Sequence, residues 1–181
     1  MYFAIEGVIG VGKTTLARLL QPSFKAELVL EVFEENPFLS NFYSDRARYA
    51  FQTQIFFLLS RYHQQRRNIT DRLSTINSII SDYTFEKDAL FACINLHGDE
   101  LDMYYSVQEA LAEKVTPPNL VVYLRASTDT LMRRIAQRDR PYERSMERDY
   151  IDLLNRAYDE FYLSSSHTSP VLIVDTNDLD F

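Results

Sequence analysis

Short apolar runs alternate with longer amphipathic segments along this chain. Runs of about five residues rich in Val, Ile, Leu and Phe are typical of buried strands, whereas apolar residues at spacings of three and four predict helices. The pattern predicts five strands, at residues 2–6, 26–30, 76–82, 120–124 and 171–174. Because helical segments separate these strands, we expect an α/β fold with a parallel sheet and helices on both faces.

The first strand runs directly into a phosphate-binding motif. Residues 7–14 match the P-loop pattern Gly-x-x-x-x-Gly-Lys-[Ser/Thr]. Its glycines let the backbone curl around an anion, so that N–H groups and the next helix N-terminus point at phosphate oxygens. The alternative, an ordinary glycine-rich turn, is disfavoured because strand, motif and helix occur together. The predicted ATP-binding residues are Gly7, Val8, Ile9, Gly10, Val11, Gly12, Lys13, Thr14 and Thr15, with Arg138 from a later segment.

Within this motif, two side chains have expected roles. Lys13 is expected to reach the β and γ phosphates of ATP, and the Thr14 hydroxyl to bind Mg²⁺. The third predicted strand ends in Asp82, a position that suits an acid holding Mg²⁺ directly or through water. A simple strand-end cap is the alternative explanation for Asp82.

Carboxylates also follow the second predicted strand, at Glu31, Glu34 and Glu35. Ligands of open parallel sheets bind outside the carboxyl ends of the strands, which places Glu31, or as a weaker candidate Glu34, near the phosphates. Glu35 is better explained as a solvent-facing residue.

The longest helical pattern covers residues 38–67 and is apolar around much of its circumference. Phe56 and Phe57 widen its stripe, which indicates burial on two sides, inside the domain or at a subunit interface. Gln52 and Gln54 interrupt the stripe. Such a glutamine usually faces solvent, but a buried one needs a partner and could contact a nucleobase.

The overall charge makes a local cluster of arginines informative. The net charge of −7 and the pI near 5.0 give no general attraction for nucleic acid or anionic membranes. A bound triphosphate therefore needs local cations, and arginines concentrate between residues 133 and 140. A solvated face is the usual explanation for such a run, but the P-loop favours a functional role for Arg138 and Arg140.

The composition predicts one globular domain over residues 1–181, with 46% hydrophobic residues. The one cysteine, Cys93, excludes an intrachain disulfide framework, fits a reducing compartment and is expected to be a buried small hydrophobic residue.

Neither a signal-peptide pattern nor a bilayer-spanning apolar run is seen, so we expect a cytoplasmic protein that binds small molecules, without a membrane or nucleic-acid partner. Because no helix follows the last strand, we also hypothesise a missing segment after Phe181.

Taken in order, these motifs resemble the deoxyribonucleoside kinase family, above all the bacterial deoxyguanosine and deoxyadenosine kinases. The resemblance extends over nearly the whole chain. It implies a P-loop kinase-like three-layer sandwich with an arginine-bearing lid, a homodimer, and an ATP-dependent deoxynucleoside 5′-kinase that acts on purine deoxynucleosides in nucleotide salvage. The residues that carry it are Ile5-Glu6-Gly7, Glu31 before Asn36-Pro37, Phe51-Gln52, Asp82-Tyr83 and Arg138-Asp139-Arg140-Pro141-Tyr142-Glu143.

The resemblance implies roles for individual residues. Glu31 would accept the proton of the nucleoside 5′-hydroxyl, Gln52 would pair with the base, and Tyr43 with Glu143 would hold the sugar 3′-hydroxyl. The implied catalytic residues are Glu31, Lys13, Arg138 and Arg140, the last two as lid arginines around the phosphates. The implied substrate-binding residues are Glu31, Tyr43, Gln52, Asp82, Asp88, Phe91 and Glu143, with Asp88 contacting the nucleobase and Phe91 stacking on it.

One departure from the family pattern follows the third strand. Members commonly carry an acid-Arg-Ser triplet there, whereas this chain has Asp82-Tyr83-Thr84. The arginine that helps to place the base and the 5′-hydroxyl is absent, so another cation has to do this work or the site is slower.

Two other functions stay open. A nucleoside monophosphate kinase of the thymidylate kinase type would need an added cationic site for the acceptor phosphate, which Arg46 and Arg48 could form, although the segment from Glu31 to Tyr43 suits an uncharged hydroxyl acceptor better. A catalytically weak, kinase-like interaction subunit is supported only by the missing arginine. The intact Lys13, Thr14, Glu31 and Arg138 argue against it.

Overall fold

Among the residues that the structure describes, five parallel strands form one sheet, as the sequence predicted. The structure, a computed structural model, describes residues 1–164 and 167–179. The strands pair in the order β2-β3-β1-β4-β5, and each neighbouring pair is parallel. They are β1 (Tyr2–Glu6), β2 (Glu27–Val29), β3 (Ile79–Ser81), β4 (Leu120–Arg125) and β5 (Val171–Asp175).

Two strands are shorter than predicted at both ends: β2 was predicted at residues 26–30 and β3 at residues 76–82. β2 ends at Val29, and the next carbonyl, that of Leu30, accepts a hydrogen bond from the Gln64 side chain at 2.6 Å. β3 ends at Ser81, before Asp82, whose carboxylate is used in side-chain hydrogen bonds described below. Beyond the ends of these two strands, polar side chains form hydrogen bonds in place of the strand pairing.

In the described part of the chain, seven helices complete the α/β fold on the two faces of the sheet. Their apolar residues recur at spacings of three and four, which turns one stripe of each helix toward the core. They are α1 (Lys13–Phe24), α2 (Leu39–Ser44), α3 (Arg46–Gln65), α4 (Lys87–Asn95), α5 (Asp99–Ala112), α6 (Thr128–Arg138) and α7 (Arg148–Tyr162).

The predicted helix over residues 38–67 is in fact two helices. Asp45 has non-helical dihedral angles (φ −149°, ψ 82°), and its side chain accepts a hydrogen bond from the backbone N–H of Arg48 at 3.2 Å. An aspartate in this position caps the N-terminus of a helix. The cap at Asp45 therefore separates α2 from α3, and a π-helical turn, Arg66–Thr70, continues α3.

One part of the core is an aromatic stack between α7 and β4. Tyr158 and Tyr162 of α7 stack on Tyr123 of β4, with ring centroids 6.2 and 4.8 Å apart. All three rings are buried. Burial of a large aromatic side chain stabilises a fold by roughly 2 kcal/mol or more, so this stack is a major anchor of α7.

The prediction for Cys93 is wrong, because this residue is exposed. On α4, Asp88 and Ala92 are fully buried and face inward, which turns Cys93 to the solvent side. No helix among the described residues is long and apolar enough to cross a membrane. The assignment of residues 1–181 to one domain stays a prediction, and the hypothesis about the C-terminus concerns Phe181, which lies outside the described residues.

Candidate active site

An open cavity lies at the carboxyl ends of β1, β2 and β3. The fold explains this location, because the P-loop, the residues after β2 and the residues after β3 all leave the sheet at the same edge. The cavity wall consists of Ile9, Gly10, Lys13, Thr14, Glu31, Phe33, Leu39, Phe42, Tyr43, Thr53, Gln54, Phe57, Arg61, Asp82, Lys87, Phe91, Arg138, Arg140, Tyr142 and Glu143.

The P-loop forms one end of this cavity, which we call the donor end. Its backbone needs glycine: a Cβ atom on Gly7, whose φ is +146°, would lie 2.5 Å from the carbonyl oxygen of Leu124. Gly12, with φ +105°, is the residue before the first turn of α1. The loop therefore leaves free N–H groups at a helix N-terminus, the arrangement that binds phosphate.

Lys13 lies over this loop. Its ammonium donates to the backbone carbonyls of Gly7 and Val8 at 2.7 and 3.2 Å. Burial, and then the positive charge of Lys87, lower the pKa of Lys13 to about 8. Because neutral carbonyls hold this ammonium, an incoming phosphate can compete for it.

Asp82 connects the donor end to the residues after β2. Its Oδ2 accepts from the Thr14 hydroxyl at 2.5 Å, and its Oδ1 accepts from the backbone N–H of Glu31 at 2.8 Å. A hydroxyl and a carboxylate are hard oxygen donors of the kind that Mg²⁺ uses beside nucleotide phosphates. Thr14 and Asp82 therefore fit the metal role that the sequence predicted for them.

The side chain of Glu31 lies between two buried cations. Arg61 donates to its Oε1 through Nε at 2.9 Å and also through Nη2, and Lys87 donates to its Oε2 at 2.6 Å. Burial alone would raise the pKa of Glu31, but the charges of Arg61 and then Lys87 outweigh it and hold this pKa far below its usual range. Glu31 is therefore a carboxylate, ready to accept a hydrogen bond.

Arg61 and Lys87 are the cations that stand in for the arginine missing after Asp82. Tyr83, which follows Asp82, is fully buried, and its hydroxyl donates to Gln64 Oε1 at 2.7 Å rather than entering the cavity. The positive charge beside Glu31 comes instead from Arg61 of α3 and Lys87 of α4. Asp88 forms an ion pair with Arg61 and is fully buried, so it lies behind that arginine and not on the cavity wall.

The opposite end of the cavity, which we call the acceptor end, is formed mainly by α3. Gln54, Phe57 and Arg61 lie on one face of this helix and on the cavity wall. Gln54 is 2% exposed, and its Oε1 has no hydrogen-bond partner among the described residues. A buried amide oxygen of this kind is available to a ligand.

Gln52, which the sequence assigned to the base, is exposed and does not line the cavity. The physical reason is helical phase: two residues that are two positions apart differ by about 200° around an α-helix. Gln54 lies on the inner face of α3 and on the cavity wall.

The lid follows α6. Arg138 donates to both carboxylate oxygens of Glu143 at 2.7 and 2.6 Å, and Arg140 lies 3.6 Å from the same carboxylate. The Arg140 guanidinium also lies over the Phe33 ring, 4.3 Å from its centroid. Glu143 thus holds both lid arginines toward the cavity.

The structure brings most of the predicted site residues together. Those on the cavity wall are Ile9, Gly10, Lys13, Thr14, Glu31, Tyr43, Asp82, Phe91, Arg138, Arg140 and Glu143. Those off the wall are Gly7, Val8, Val11, Gly12 and Thr15 of the P-loop, together with Gln52 and Asp88. The side chain of Glu34, the weaker candidate near the phosphates, is outside what the structure describes.

Arg61 and Lys87 were not predicted as site residues, and Gln52 rather than Gln54 was predicted to contact the base. Gln54, Phe57 and Arg61 are spaced by three and four, which is the signal of one helical face. Lys87 has no such signal, because its position depends on how α4 packs beside α3.

Comparison with known proteins identifies the family. The profile described as "Deoxynucleoside kinase" matches residues 3–181. The chain is 35% identical to a deoxyguanosine kinase of Bacillus subtilis (strain 168), over 99% of this chain and 88% of that one. It is 33% identical to a deoxyadenosine kinase of Dictyostelium discoideum, over 94% of this chain and 70% of that one.

Solved structures are similar over the same length. A deoxyadenosine kinase from M. mycoides with bound products, dCMP and a flexible dCDP, gives a TM-score of 0.87 at 29% identity and covers 99% of this chain and 92% of that one. The same protein with bound dATP gives 0.86 at 28% identity, with 100% and 93% covered. The expected fold class and resemblance are confirmed: the chain belongs to the deoxynucleoside kinase family and is a phosphotransferase of that family.

Proposed function

We propose that this enzyme transfers the γ-phosphoryl group of ATP to the 5′-hydroxyl of a purine deoxynucleoside, with Mg²⁺, in nucleotide salvage. The main support for this proposal is the position of Glu31. Its ionised carboxylate lies in the cavity between the P-loop and the pocket that Gln54 lines. Glu31 is therefore positioned to bind an acceptor hydroxyl that approaches a phosphate bound at the P-loop.

At the donor end, the residues of this chain align and neutralise the phosphates. The P-loop N–H groups and Lys13 bind the β and γ phosphates, and Arg138 and Arg140 approach the same charge from the lid. Thr14 and Asp82 would hold Mg²⁺, which neutralises charge on the β- and γ-phosphate oxygens when it is bound. Phosphoryl transfer needs little covalent help beyond this alignment.

At the acceptor end, Glu31 orients the 5′-hydroxyl and takes its proton. The base lies between Phe57 and Phe91, two aromatic side chains on the cavity wall, and its edge meets Gln54. The Oε1 of Gln54, which has no hydrogen-bond partner in the described part of the chain, accepts from an amino group of the base, and its amide nitrogen can donate to a ring nitrogen. The relatives named as deoxyguanosine and deoxyadenosine kinases support a purine.

Tyr43 and Glu143 remain the residues proposed for the sugar 3′-hydroxyl. Both line the cavity, and the Tyr43 ring stacks on Tyr142 of the lid with 14° between the ring planes. Asp88, for which the resemblance implies a contact with the nucleobase, forms an ion pair with Arg61 and so supports the base pocket from behind.

The geometry gives little support to a nucleoside monophosphate kinase. Neither Arg46 nor Arg48 lines the cavity. Arg46 forms an ion pair with Glu147 and lies over the Tyr150 ring, and Arg48 lies over Tyr49. The two arginines that could have bound an acceptor phosphate are thus engaged elsewhere.

We also propose that the enzyme is a cytoplasmic homodimer. Phe56 and Leu59 of α3 form an open surface with Val32, and Leu59 and Val32 are each 40% exposed. An apolar helix face of this kind suits contact with a second copy. Light scattering during size-exclusion chromatography tests it: a mass near 42 kDa, twice 21.2 kDa, supports the dimer, and a mass near 21.2 kDa contradicts it.

A steady-state assay with Mg-ATP tests the proposed reaction. Deoxyadenosine, deoxyguanosine, deoxycytidine, thymidine and their 5′-monophosphates are offered side by side. We expect turnover of a purine deoxynucleoside. Turnover only of a monophosphate would favour the thymidylate kinase type, and ATP binding without turnover would favour an interaction subunit.

A further inference from the structure

Lys87 is a buried cation whose place in the reaction is not explained by its contact with Glu31 alone. It is the first residue of α4, is 5% exposed and lines the cavity. Its ammonium donates to Glu31 Oε2 at 2.6 Å and lies 5.7 Å from the centroid of the Phe91 ring. A buried ammonium is costly unless it is paired, so the lysine is held in this position by the carboxylate.

The hydrogen bonds of Glu31 show which oxygen is open to the substrate. Each carboxylate oxygen has two lone pairs. Two donors of Arg61, Nε and Nη2, use those of Oε1. Among the described residues, only Lys87 donates to Oε2. The free lone pair of Glu31 is therefore on Oε2, and that atom receives the 5′-hydroxyl.

This assignment places the lysine beside the reacting oxygen. The lysine nitrogen lies 2.6 Å from Oε2. Two partners of one carboxylate oxygen, each at hydrogen-bond distance and about 120° apart, are separated by roughly 4.6 Å. Oxygens of a phosphoryl group that is joining the 5′-oxygen fall within that gap, and the flexible lysine stem can follow them.

We propose that Lys87 is a catalytic residue that binds the phosphoryl group from the acceptor side as it moves onto the 5′-oxygen; this inference rests on the proposed function. In this step the 5′-oxygen forms a bond to the γ-phosphorus, the bond to the β,γ-bridging oxygen breaks, and ADP leaves with its electron pair. The proton of the hydroxyl passes to Glu31 Oε2. Lys87 stays protonated and exchanges part of its contact with Glu31 for phosphoryl oxygens.

The arrangement gives the transferred group one lysine on each side. Lys13 approaches from the P-loop and Lys87 from α4, and Lys87 contributes to the lowered pKa of Lys13, as expected for two ammonium groups in one cavity. Two like charges that face a common space favour an anion between them. Tyr83 does not compete with Lys87 for the position beside Glu31, because the Tyr83 hydroxyl donates a hydrogen bond to Gln64.

Binding and turnover of Lys87→Met test this inference. Affinities for deoxyadenosine and for its 5′-monophosphate are measured by calorimetry without Mg²⁺ or ATP, and turnover is measured with Mg-ATP. We expect the monophosphate to bind about tenfold more weakly and the nucleoside to change by less than about threefold. We expect kcat to fall about 100-fold, because a donor to the developing charge is lost.

Lys114→Met is the matched control, because Lys114 is exposed and the chemical change is the same; it should leave all three quantities unchanged. Lys87→Arg keeps the charge and should recover at least about tenfold of the lost rate. If Lys87→Met does not fold, Lys87→Gln replaces it with the same expected pattern.

An unchanged kcat, or equal weakening of nucleoside and monophosphate, would overturn the role of Lys87. Failure of the proposed function has a different signature. In that case the unaltered enzyme itself would not phosphorylate any deoxynucleoside, and the binding comparison would still decide whether Lys87 contacts a 5′-phosphate.

Discussion

The two ends of the cavity hold their charged groups in different ways. At the donor end, Lys13 is bound by backbone carbonyls of Gly7 and Val8, all within seven consecutive residues. At the acceptor end, Glu31 is bound by Arg61 and Lys87, which come from two different helices. The donor end is thus built by local backbone shape, whereas the acceptor end is built by side chains that long-range packing brings together.

This difference determines how substitutions at the two ends are expected to affect the enzyme. At the donor end, replacement of the Lys13 side chain alters one contact with phosphate. A change at the acceptor end leaves a buried charge without its partner, which affects both chemistry and folding. The predictions below separate these two effects.

The largest effect is expected for Glu31→Gln. The amide cannot take the proton of the 5′-hydroxyl, so kcat should fall about 1,000-fold or beyond detection, while nucleoside affinity changes by less than about threefold. Steady-state kinetics and calorimetry measure the two quantities. Glu35→Gln, the same change at an exposed residue, should keep the original rate. A near-normal rate for Glu31→Gln would move the role to Glu34 or remove it.

The next effect is on stability and concerns Asp88→Asn. Asp88 is fully buried against Arg61, so its loss should cost about 3 kcal/mol in the free energy of unfolding. The comparison is Asp159→Asn, because Asp159 also binds an arginine, Arg125, but its side chain is 31% exposed. That pair should contribute less than about 1 kcal/mol. Urea denaturation measures both, and equal losses would contradict the distinction between buried and exposed pairs.

Gln54→Ala and Gln52→Ala test the choice of helix face. Loss of the buried Gln54 amide should lower kcat/KM for the deoxynucleoside about 10- to 100-fold, because a hydrogen bond to the base is lost in a desolvated site. KM for ATP should change little. Gln52→Ala lies on the exposed face and should have no effect on either constant. The reverse order of the two variants would restore the assignment made from the sequence.

The smallest effect is the response of ATP binding to pH. The pKa of Lys13 is lowered to about 8, so the ammonium loses its proton as the pH rises through that value. We expect kcat/KM for ATP to fall severalfold between about pH 7 and pH 9, in the direction of lost positive charge. Deoxynucleoside affinity without ATP serves as the control and should stay constant. A flat profile for ATP would contradict the lowered pKa.

The sequence was sufficient for the donor end and for the sheet. The P-loop is a local motif, and Glu31 and Asp82 were located because parallel strands bring their carboxyl ends to one edge. The strand pattern and the order of motifs likewise predicted the α/β fold and the family.

The acceptor end was only partly predictable. Two glutamines two positions apart look equivalent until the phase of α3 is fixed by its cap at Asp45. Arg61 shares a helical face with Gln54 in the sequence, but the contacts of Arg61 and Lys87 with Glu31 could not be predicted, because they depend on the packing of α3 beside α4. A helix break and an inter-helix contact are tertiary features, and neither is contained in local periodicity.

The most direct test is a crystal structure of the enzyme with deoxyadenosine and a non-hydrolysable ATP analogue. We expect the 5′-oxygen within hydrogen-bond distance of Glu31 Oε2, the γ-phosphate analogue between Lys13 and Lys87, and the base edge on Gln54. A nucleoside bound with its base on Gln52, or with its 5′-oxygen away from Glu31, would contradict it.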